Sequence, residues 1–315
     1  MSLDLTAAEM REAAAALLAA LDDSQRGQAA RPFGDDAARR WLEYRSLSRP
    51  GACLAVASPA ARKAAQRLLA TALGEHGYAQ AAIIMALEEV LDRREHGALG
   101  RHSGDYWVCV FGDPGADPWS WRFEGHHLSV TMTVRGADVS PAPVFFGANP
   151  AAVGYRGRPV SRPLGPEEDL GRALLRALTA GQRAHAVIAD RAPHDIRSGT
   201  SPLARAMMTP AGLASGDLAA GQRAILDEIV ALYLGRLSPA LAARESDRIA
   251  GCELHFAWAG PATAGTRHYY RIQGDDLLIE YDNTTDDGNH AHTVLRRPHG
   301  DFGADILAAH HDQER

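Results

Sequence analysis

The chain has 315 residues, of which 46% are hydrophobic and 23% are charged, and its formal net charge is −6. This length is sufficient for one large hydrophobic core or two smaller ones. Acidic and basic residues are mixed without a basic block, which argues against a nucleic-acid-binding protein. No apolar run approaches the length of a membrane span and the N-terminus lacks the features of a signal peptide, so we expect a cytoplasmic protein without a membrane partner.

The first third of the chain is predicted to be helical. Apolar periodicity favours a helix, or a broken pair of helices, over residues 5 to 30. Ser58-Pro59 combines a good N-cap with a proline at the first helical position, so a helix begins there. Gly77 is expected to end this helix, and a second helix follows. In the second helix one of two adjacent glutamates, at 88 and 89, must point towards the edge of the core.

Strand-forming residues then replace the helical pattern, and the same change occurs again later in the chain. The first strand block is predicted at 106–111, 119–123, 128–134 and 144–146. Helices return at 166–178, from 179, from 218 and from 239. The second strand block is predicted at 254–258, 268–273, 277–282 and 290–296, before a closing helix at 301–311.

This block order predicts the fold class. Because helices and strands come in blocks and do not alternate strictly, we expect an α+β fold with antiparallel hairpins or sheets and segregated helices. Residues 1–57 would form a helical arm with an irregular segment. Residues 58–164 and 165–315 would form two helix-plus-strand halves of one compact domain.

The two strand blocks can be aligned with each other. The alignment places Arg122 on Arg271 and Gly125 on Gly274, and Ala-Gly-Gln-Arg-Ala occurs in the helical blocks at 180 and again at 220. An internal pseudo-two-fold repeat is one interpretation of these matches, and chance similarity is the other.

A hairpin followed by a His-x-His strand is the most informative stretch of the sequence. Residues 273–276 have turn chemistry between two strand-like runs. Side chains alternate along a strand, so Glu280 and Asp282 share a face of the second run. After a polar loop, His290 and His292 share a face of the next strand. If these strands pair, carboxylates and imidazoles lie side by side, which is typical of a metal site.

The first strand block carries Glu124-Gly-His126-His127 in a similar place and adds further imidazoles. The predicted metal ligands are His126, His127, Asp282, His290 and His292. Such a set suits Zn, Fe, Mn or Cu, and the residue types alone do not choose among these metals. Glu124 and Glu280 are the predicted catalytic carboxylates, which would move protons. The alternative is that these histidines are hydrogen-bonded structural residues in a polar core.

Two arginines and an asparagine beside these motifs are predicted to bind substrate. Arg122 and Arg271 flank the two turns, where they could hold a carboxylate or phosphate through two hydrogen bonds each, or pair with a local acid. Asn283, which directly follows Asp282, completes this predicted set.

Several long motifs together resemble the family catalogued as domain of unknown function 3500. The motifs are Trp119-Ser-Trp-Arg-Phe-Glu-Gly-His-His-Leu-Ser-Val130, Phe146-Gly-Ala-Asn-Pro150, His255-Phe-Ala-Trp-Ala-Gly260, Tyr269-Tyr-Arg-Ile-Gln-Gly274, Leu278-Ile-Glu-Tyr-Asp-Asn-Thr284 and Asn289-His-Ala-His292. The resemblance covers most of the chain from about Trp41 onward. It implies no established activity.

Two functions remain open at this stage. One is a metal-dependent enzyme, hydrolytic or oxidative, that acts on a small organic substrate with a metal that activates water or oxygen. The other is a non-catalytic protein that binds a small acid or a partner, with the arginine pair as an anion clamp. The sequence leaves the oligomeric state open.

Overall fold

The computed structural model describes residues 2–45, 48–204 and 209–311. Its helices are α1 (Leu3–Ala20), α2 (Asp23–Ala29), α3 (Asp36–Arg39), α4 (Pro59–Ala72), α5 (Glu75–Arg94), α6 (Gly165–Ala177), α7 (Ala180–Ala186), α8 (Ala220–Leu234), α9 (Pro239–Ile249) and α10 (Ala304–His311). The predicted helix start at Ser58-Pro59 is confirmed, because the Ser58 hydroxyl accepts a hydrogen bond from the backbone N–H of Ala61.

The prediction that Gly77 ends this helix is wrong. Helix α4 ends at Ala72, and Leu73 then forms a β-bridge with Leu237. Gly77 lies inside α5, where a Cβ atom would fall 2.3 Å from the carbonyl oxygen of Arg236. This glycine therefore permits close packing of a helix against backbone and does not mark a helix end.

Most strands of the described residues form one 13-stranded sheet. The strands are β1 (Ala30–Arg31), β2 (Ala52–Cys53), β3 (Tyr106–Phe111), β4 (Trp119–Gly125), β5 (Leu128–Arg135), β6 (Asp138–Ser140), β7 (Val144–Ala148), β8 (Val153–Tyr155), β9 (Arg158–Ser161), β10 (Val187–Ala189), β11 (Leu213–Ala214), β12 (His255–Ala259), β13 (Tyr269–Gln273), β14 (Leu278–Thr285) and β15 (His290–Arg296). The order along the sheet is β1-β3-β4-β5-β7-β15-β14-β13-β12-β10, and β8 and β9 form a separate hairpin.

The fold class is α+β, as the block order predicts. The chain is 42% helical and 24% strand. The strand pairs are antiparallel except at the two ends of the sheet, where β1 joins β3 and β10 joins β12 in parallel. This order is compatible with a pseudo-two-fold repeat, which stays a prediction, as do the predicted domain boundaries. Among the helices described, none has both the length and the apolar character needed to cross a bilayer.

The two faces of the sheet are covered differently. On one face the long helices pack against alternate strand residues such as Trp121, Val130, Phe146 and Trp258, which form the main core.

On the other face lies a smaller hydrophobic cluster, formed by Leu42, Tyr44, Phe145, Ile196, Val294 and Phe302. Irregular segments around residues 42–44, 196–198 and 302 cover this second face, so its polar side chains are buried as well.

A buried ion pair connects the helical layer to β15. Nη2 of Arg236 lies 2.5 Å from Oε1 of Glu167, and neither side chain is exposed. Nη1 of Arg236 donates to the hydroxyl of Thr293 on β15. The guanidinium also lies over the rings of Tyr233 and Phe146. Removing one partner of such a pair leaves an uncompensated buried charge.

We therefore expect Arg236→Met to lower the free energy of unfolding by about 3–5 kcal/mol, since Glu167 would lose its counter-charge. The matched control is Arg223→Met, which breaks the exposed Arg223–Asp227 pair and should cost about 0–1 kcal/mol. Denaturant unfolding of both variants measures the difference. Equal losses in the two variants would contradict the structural role of the buried pair.

Candidate metal centre

Three histidine rings converge where the β4–β5 turn meets the start of β15. Nε2 of His127 lies 2.8 Å from Nε2 of His290. Nε2 of His290 in turn lies 3.0 Å from Nε2 of His292. The ligand atoms of these three residues all lie within 4.8 Å of one another. Such a group of donor atoms is compatible with one metal ion, and the two Nε2–Nε2 distances are also those of hydrogen bonds.

A glycine on β7 makes this approach of the rings feasible. Gly147 pairs with His292 across β7 and β15, and its N–H donates to the carbonyl oxygen of His127. A Cβ atom on Gly147 would fall 2.8 Å from Cδ2 of His127 and 3.1 Å from Cδ2 of His292. Any larger residue here would therefore displace two of the three rings.

Carboxylates lie within hydrogen-bond distance of the Nδ1 atoms of His290 and His292. Nδ1 of His292 lies 2.8 Å from Oδ1 of Asp195 and 3.5 Å from Oδ2 of Asp282. Nδ1 of His290 lies 2.9 Å from Oδ2 of Asp286. A ring that donates its Nδ1 hydrogen to a carboxylate presents the Nε2 lone pair to the centre, which is how metal-binding histidines are oriented.

The electrostatics of the cluster favour a single positive charge. Burial and the neighbouring imidazoles hold the pKa of His127 well below its usual value. Burial and the proximity of His292 lower the pKa of His290 to about 4. Burial also lowers the pKa of His292, but the hydrogen bonds to Asp195 and Asp282 outweigh this effect and raise the pKa to about 9. The cluster thus accommodates one proton or one metal cation.

His126, a predicted ligand, belongs to a neighbouring group. Its Nδ1 lies 2.5 Å from Oε1 of Glu88, and its ring centroid lies 3.7 Å from that of His127. The potential ligand atoms of Glu88, His126 and His127 lie within 4.8 Å of one another. Glu88 is buried whereas Glu89 is not, so the prediction that one of these glutamates points towards the core is confirmed.

Asp282, also a predicted ligand, lies behind His292. It pairs directly with His292 across β14 and β15, so the prediction that the two share a face is confirmed. Oδ1 of Asp282 accepts hydrogen bonds from the backbone N–H and the hydroxyl of Thr284. Its carboxylate is therefore placed beside Nδ1 of His292, where it orients the ring.

The two predicted catalytic carboxylates are held by other contacts. Glu280 accepts hydrogen bonds from the Tyr269 hydroxyl and from the backbone N–H groups of Arg197 and Ser198. Glu124 is also buried, and burial raises the pKa of its carboxyl. Neither glutamate belongs to the three groups of potential metal ligands found in the described part of the chain.

Glu124 accepts hydrogen bonds from the backbone N–H of Glu43 and from the Ser129 hydroxyl. These contacts tie the N-terminal arm to the sheet, so the geometry gives Glu124 a structural place. The catalytic roles of both glutamates stay predictions.

The predicted substrate-binding residues are buried too. Nη1 of Arg122 donates to the carbonyl oxygen of Ala38, and Nη2 of Arg271 donates to that of Thr209 at 3.3 Å. Oδ1 of Asn283 accepts a hydrogen bond from the backbone N–H of His268. Nε of Arg122 also lies 3.7 Å from Oε1 of Glu124, which is the local acid pairing that the sequence left open. The substrate role of these three side chains stays a prediction.

Sequence reasoning did not single out Asp195 and Tyr44. The Tyr44 hydroxyl donates to Oδ2 of Asp195, whose Oδ1 faces Nδ1 of His292. The Tyr44 carbonyl oxygen accepts a hydrogen bond from the backbone N–H of His127, and its ring stacks on Phe145. Both residues lie in irregular segments without periodicity, so no local sequence pattern indicates these contacts.

A family model described as a protein of unknown function, DUF3500, matches residues 4–304. The chain belongs to the DUF3500 family. This confirms the resemblance found from the motifs. The matched region includes all three converging histidines and the acids behind them. No curated protein and no solved structure matches the chain.

If Asp195 orients His292, Asp195→Asn should weaken binding of a transition metal by about 10- to 100-fold, as losses of carboxylate partners behind metal-binding histidines do. Competition with a chromogenic chelator measures this affinity. The matched control is Asp190→Asn, an exposed carboxylate on the same segment, which should leave the affinity unchanged. Equal affinities in the two variants would remove Asp195 from the centre.

Proposed function

We propose that the protein is a metal-dependent enzyme that acts on a small organic substrate, with His127, His290 and His292 as the metal ligands. The observation that carries this proposal is the convergence of three Nε2 atoms at 2.8 and 3.0 Å. Carboxylates beside the Nδ1 atoms of His290 and His292 turn the lone pairs of both rings inward.

A purely structural role explains this arrangement less well. The Nδ1 hydrogens of His290 and His292 are donated to carboxylates, so the neutral forms of these rings present only lone pairs to each other, and the third ring adds another nitrogen. The raised pKa of His292 supplies one proton for one of these contacts. One shared proton satisfies a single pair of these nitrogens, whereas a metal ion accepts all three lone pairs. The carboxylates of Asp195, Asp282 and Asp286 would offset the charge of the ion from behind the rings.

The ligand set indicates the chemistry. Three neutral imidazoles suit Zn, Fe or Cu, and three protein ligands leave a position for water, oxygen or substrate. A metal in such a site would activate water for hydrolysis or oxygen for oxidation. The hydrogen-bonded pair of Glu88 and His126 lies beside His127 and could transfer the protons. This pair takes the role that the sequence had suggested for Glu124 and Glu280.

The alternative of a non-catalytic protein with an arginine clamp has less support. Arg122 and Arg271 are at most 4% exposed and donate to backbone carbonyl groups. An anion would have to displace these contacts and enter a closed layer.

Metal analysis of protein expressed in supplemented medium tests the proposal directly. We expect about one equivalent of a transition metal and a melting temperature that falls when a chelator removes the ion, because a ligand that binds only the folded state stabilises it. Metal-free protein after supplementation, with a melting temperature insensitive to chelator, would count against an enzyme and in favour of a structural cluster.

The His292→Ala variant separates a ligand from a structural residue. If His292 is a ligand, its loss should abolish stoichiometric metal binding. If it is only a hydrogen-bonding group, the same change should destabilise the protein by about 1–3 kcal/mol and leave the metal content unchanged. The matched control is His299→Ala, whose half-exposed side chain lies 3.8 Å from Asp275, and it should change neither quantity.

A further inference from the structure

A polar cleft lies beside the candidate metal centre, on the side of His290. Its volume is about 880 Å³, which falls in the range of small-molecule sites. Its polar lining residues include Asp190, Arg191, His194, Arg267, Thr284 and Asp286. We refer to it as the Arg191–Arg267 cleft.

The cleft shares a wall with the centre. Asp286 lines the cleft and also lies 2.9 Å from Nδ1 of His290. Thr284 lines it as well, and its hydroxyl bonds to Asp282 and to the carbonyl oxygen of His194. The His290 side chain is 16% exposed against 9% for His292. His290 is therefore the more exposed of these two rings, and its Nδ1 lies beside Asp286 in the cleft wall.

The end of β12 brings the two arginines together. The backbone N–H of Gly260, the residue after β12, donates to the carbonyl oxygen of Ala189. A Cβ atom on Gly260 would fall 2.8 Å from the carbonyl oxygen of Arg267 and 3.5 Å from the backbone nitrogen of Ala192. The segments that carry Arg191 and Arg267 thus pack on the same glycine, and both side chains are exposed at the cleft.

The cleft contains two arginines, Arg191 and Arg267, and two acids, Asp190 and Asp286. Arg267 pairs with Asp287, whose side chain is 97% exposed, so water and salt screen this pair and a ligand can replace it. Oδ2 of Asp286 accepts a hydrogen bond from the side-chain amide of Asn149 and lies within hydrogen-bond distance of Nδ1 of His290. Arg191 and Arg267 therefore offer a ligand two guanidinium groups, beside the carboxylates of Asp190 and Asp286. Guanidinium groups bind carboxylates through paired hydrogen bonds.

We propose that the Arg191–Arg267 cleft binds the substrate and that the substrate is a small organic acid, held by its carboxylate on these arginines. This inference rests on the proposed function, because the cleft becomes a substrate site only if the adjacent centre holds a catalytic metal. The carboxylate end lies at the arginines, and the rest of the molecule extends towards the wall formed by Thr284 and Asp286.

Isothermal titration with succinate tests this inference on metal-loaded and metal-free protein. We expect the wild type to bind succinate with a Kd no weaker than millimolar, and Arg191→Gln and Arg267→Gln to weaken binding about tenfold or more each. The matched control Arg62→Gln, an exposed arginine of α4, should bind as the wild type does. Succinamide, which lacks the negative charges, should bind at least tenfold more weakly than succinate.

Other results would overturn the inference. Undetectable succinate binding by the wild type, equal affinities across the arginine variants, or equal binding of succinamide would each exclude carboxylate recognition in the cleft. Tighter, arginine-dependent binding of inorganic phosphate would assign the cleft to a phosphate ligand. Metal content is measured on the same samples. If succinate binding depends on the arginines but the protein binds no metal, the proposed metal-dependent function is rejected. Carboxylate binding in the cleft is then still supported.

Discussion

The pairing of β7 with β15 is the contact on which the candidate site depends. These two strands join the half of the sheet that contains β3, β4 and β5 to the half that contains β12, β13 and β14. His127 comes from the first half, whereas His290 and His292 come from the second. Gly147 lies on the junction, opposite His292, and leaves space for two rings. The three imidazoles therefore meet only when both halves are folded and correctly registered, because a one-residue slip would turn His292 to the other face.

Buried polar side chains lie on the face of the sheet that the irregular segments cover. They position the site as well as stabilising the fold. Glu280 binds the backbone N–H groups of Arg197 and Ser198, and this fixes the irregular segment in which Asp195 lies two residues earlier. Asp195 then reaches His292 and receives the hydroxyl of Tyr44. The catalytic role of Glu280 stays a prediction, but its contacts give it a structural place as well. Glu280 fixes the segment that contains Asp195, whose carboxylate lies beside Nδ1 of His292.

Strand periodicity predicted much of the fold and part of the site. The β13–β14 hairpin, the shared face of Asp282 and His292 and the α+β class all follow from alternation and block order. Local pattern does not specify which nitrogen of a ring faces a carboxylate, so the position of Asp282 beside Nδ1 of His292 could not be predicted from the sequence, and its role as a ligand stays a prediction. Asp195 and Tyr44 were missed because their contacts join positions 97 and 151 residues apart through irregular segments.

The position of Asp286 links the two proposals physically. Its carboxylate bonds to Nδ1 of His290 and also forms part of the cleft wall, with a side chain that is 59% exposed. A metal ion at the centre would add positive charge behind this wall, and this charge would attract an anion in the cleft with a strength that water and salt reduce. The ion would therefore favour an anionic ligand in the cleft. A carboxylate substrate bound there would in turn stabilise the ion, because thermodynamic coupling between two binding sites is reciprocal.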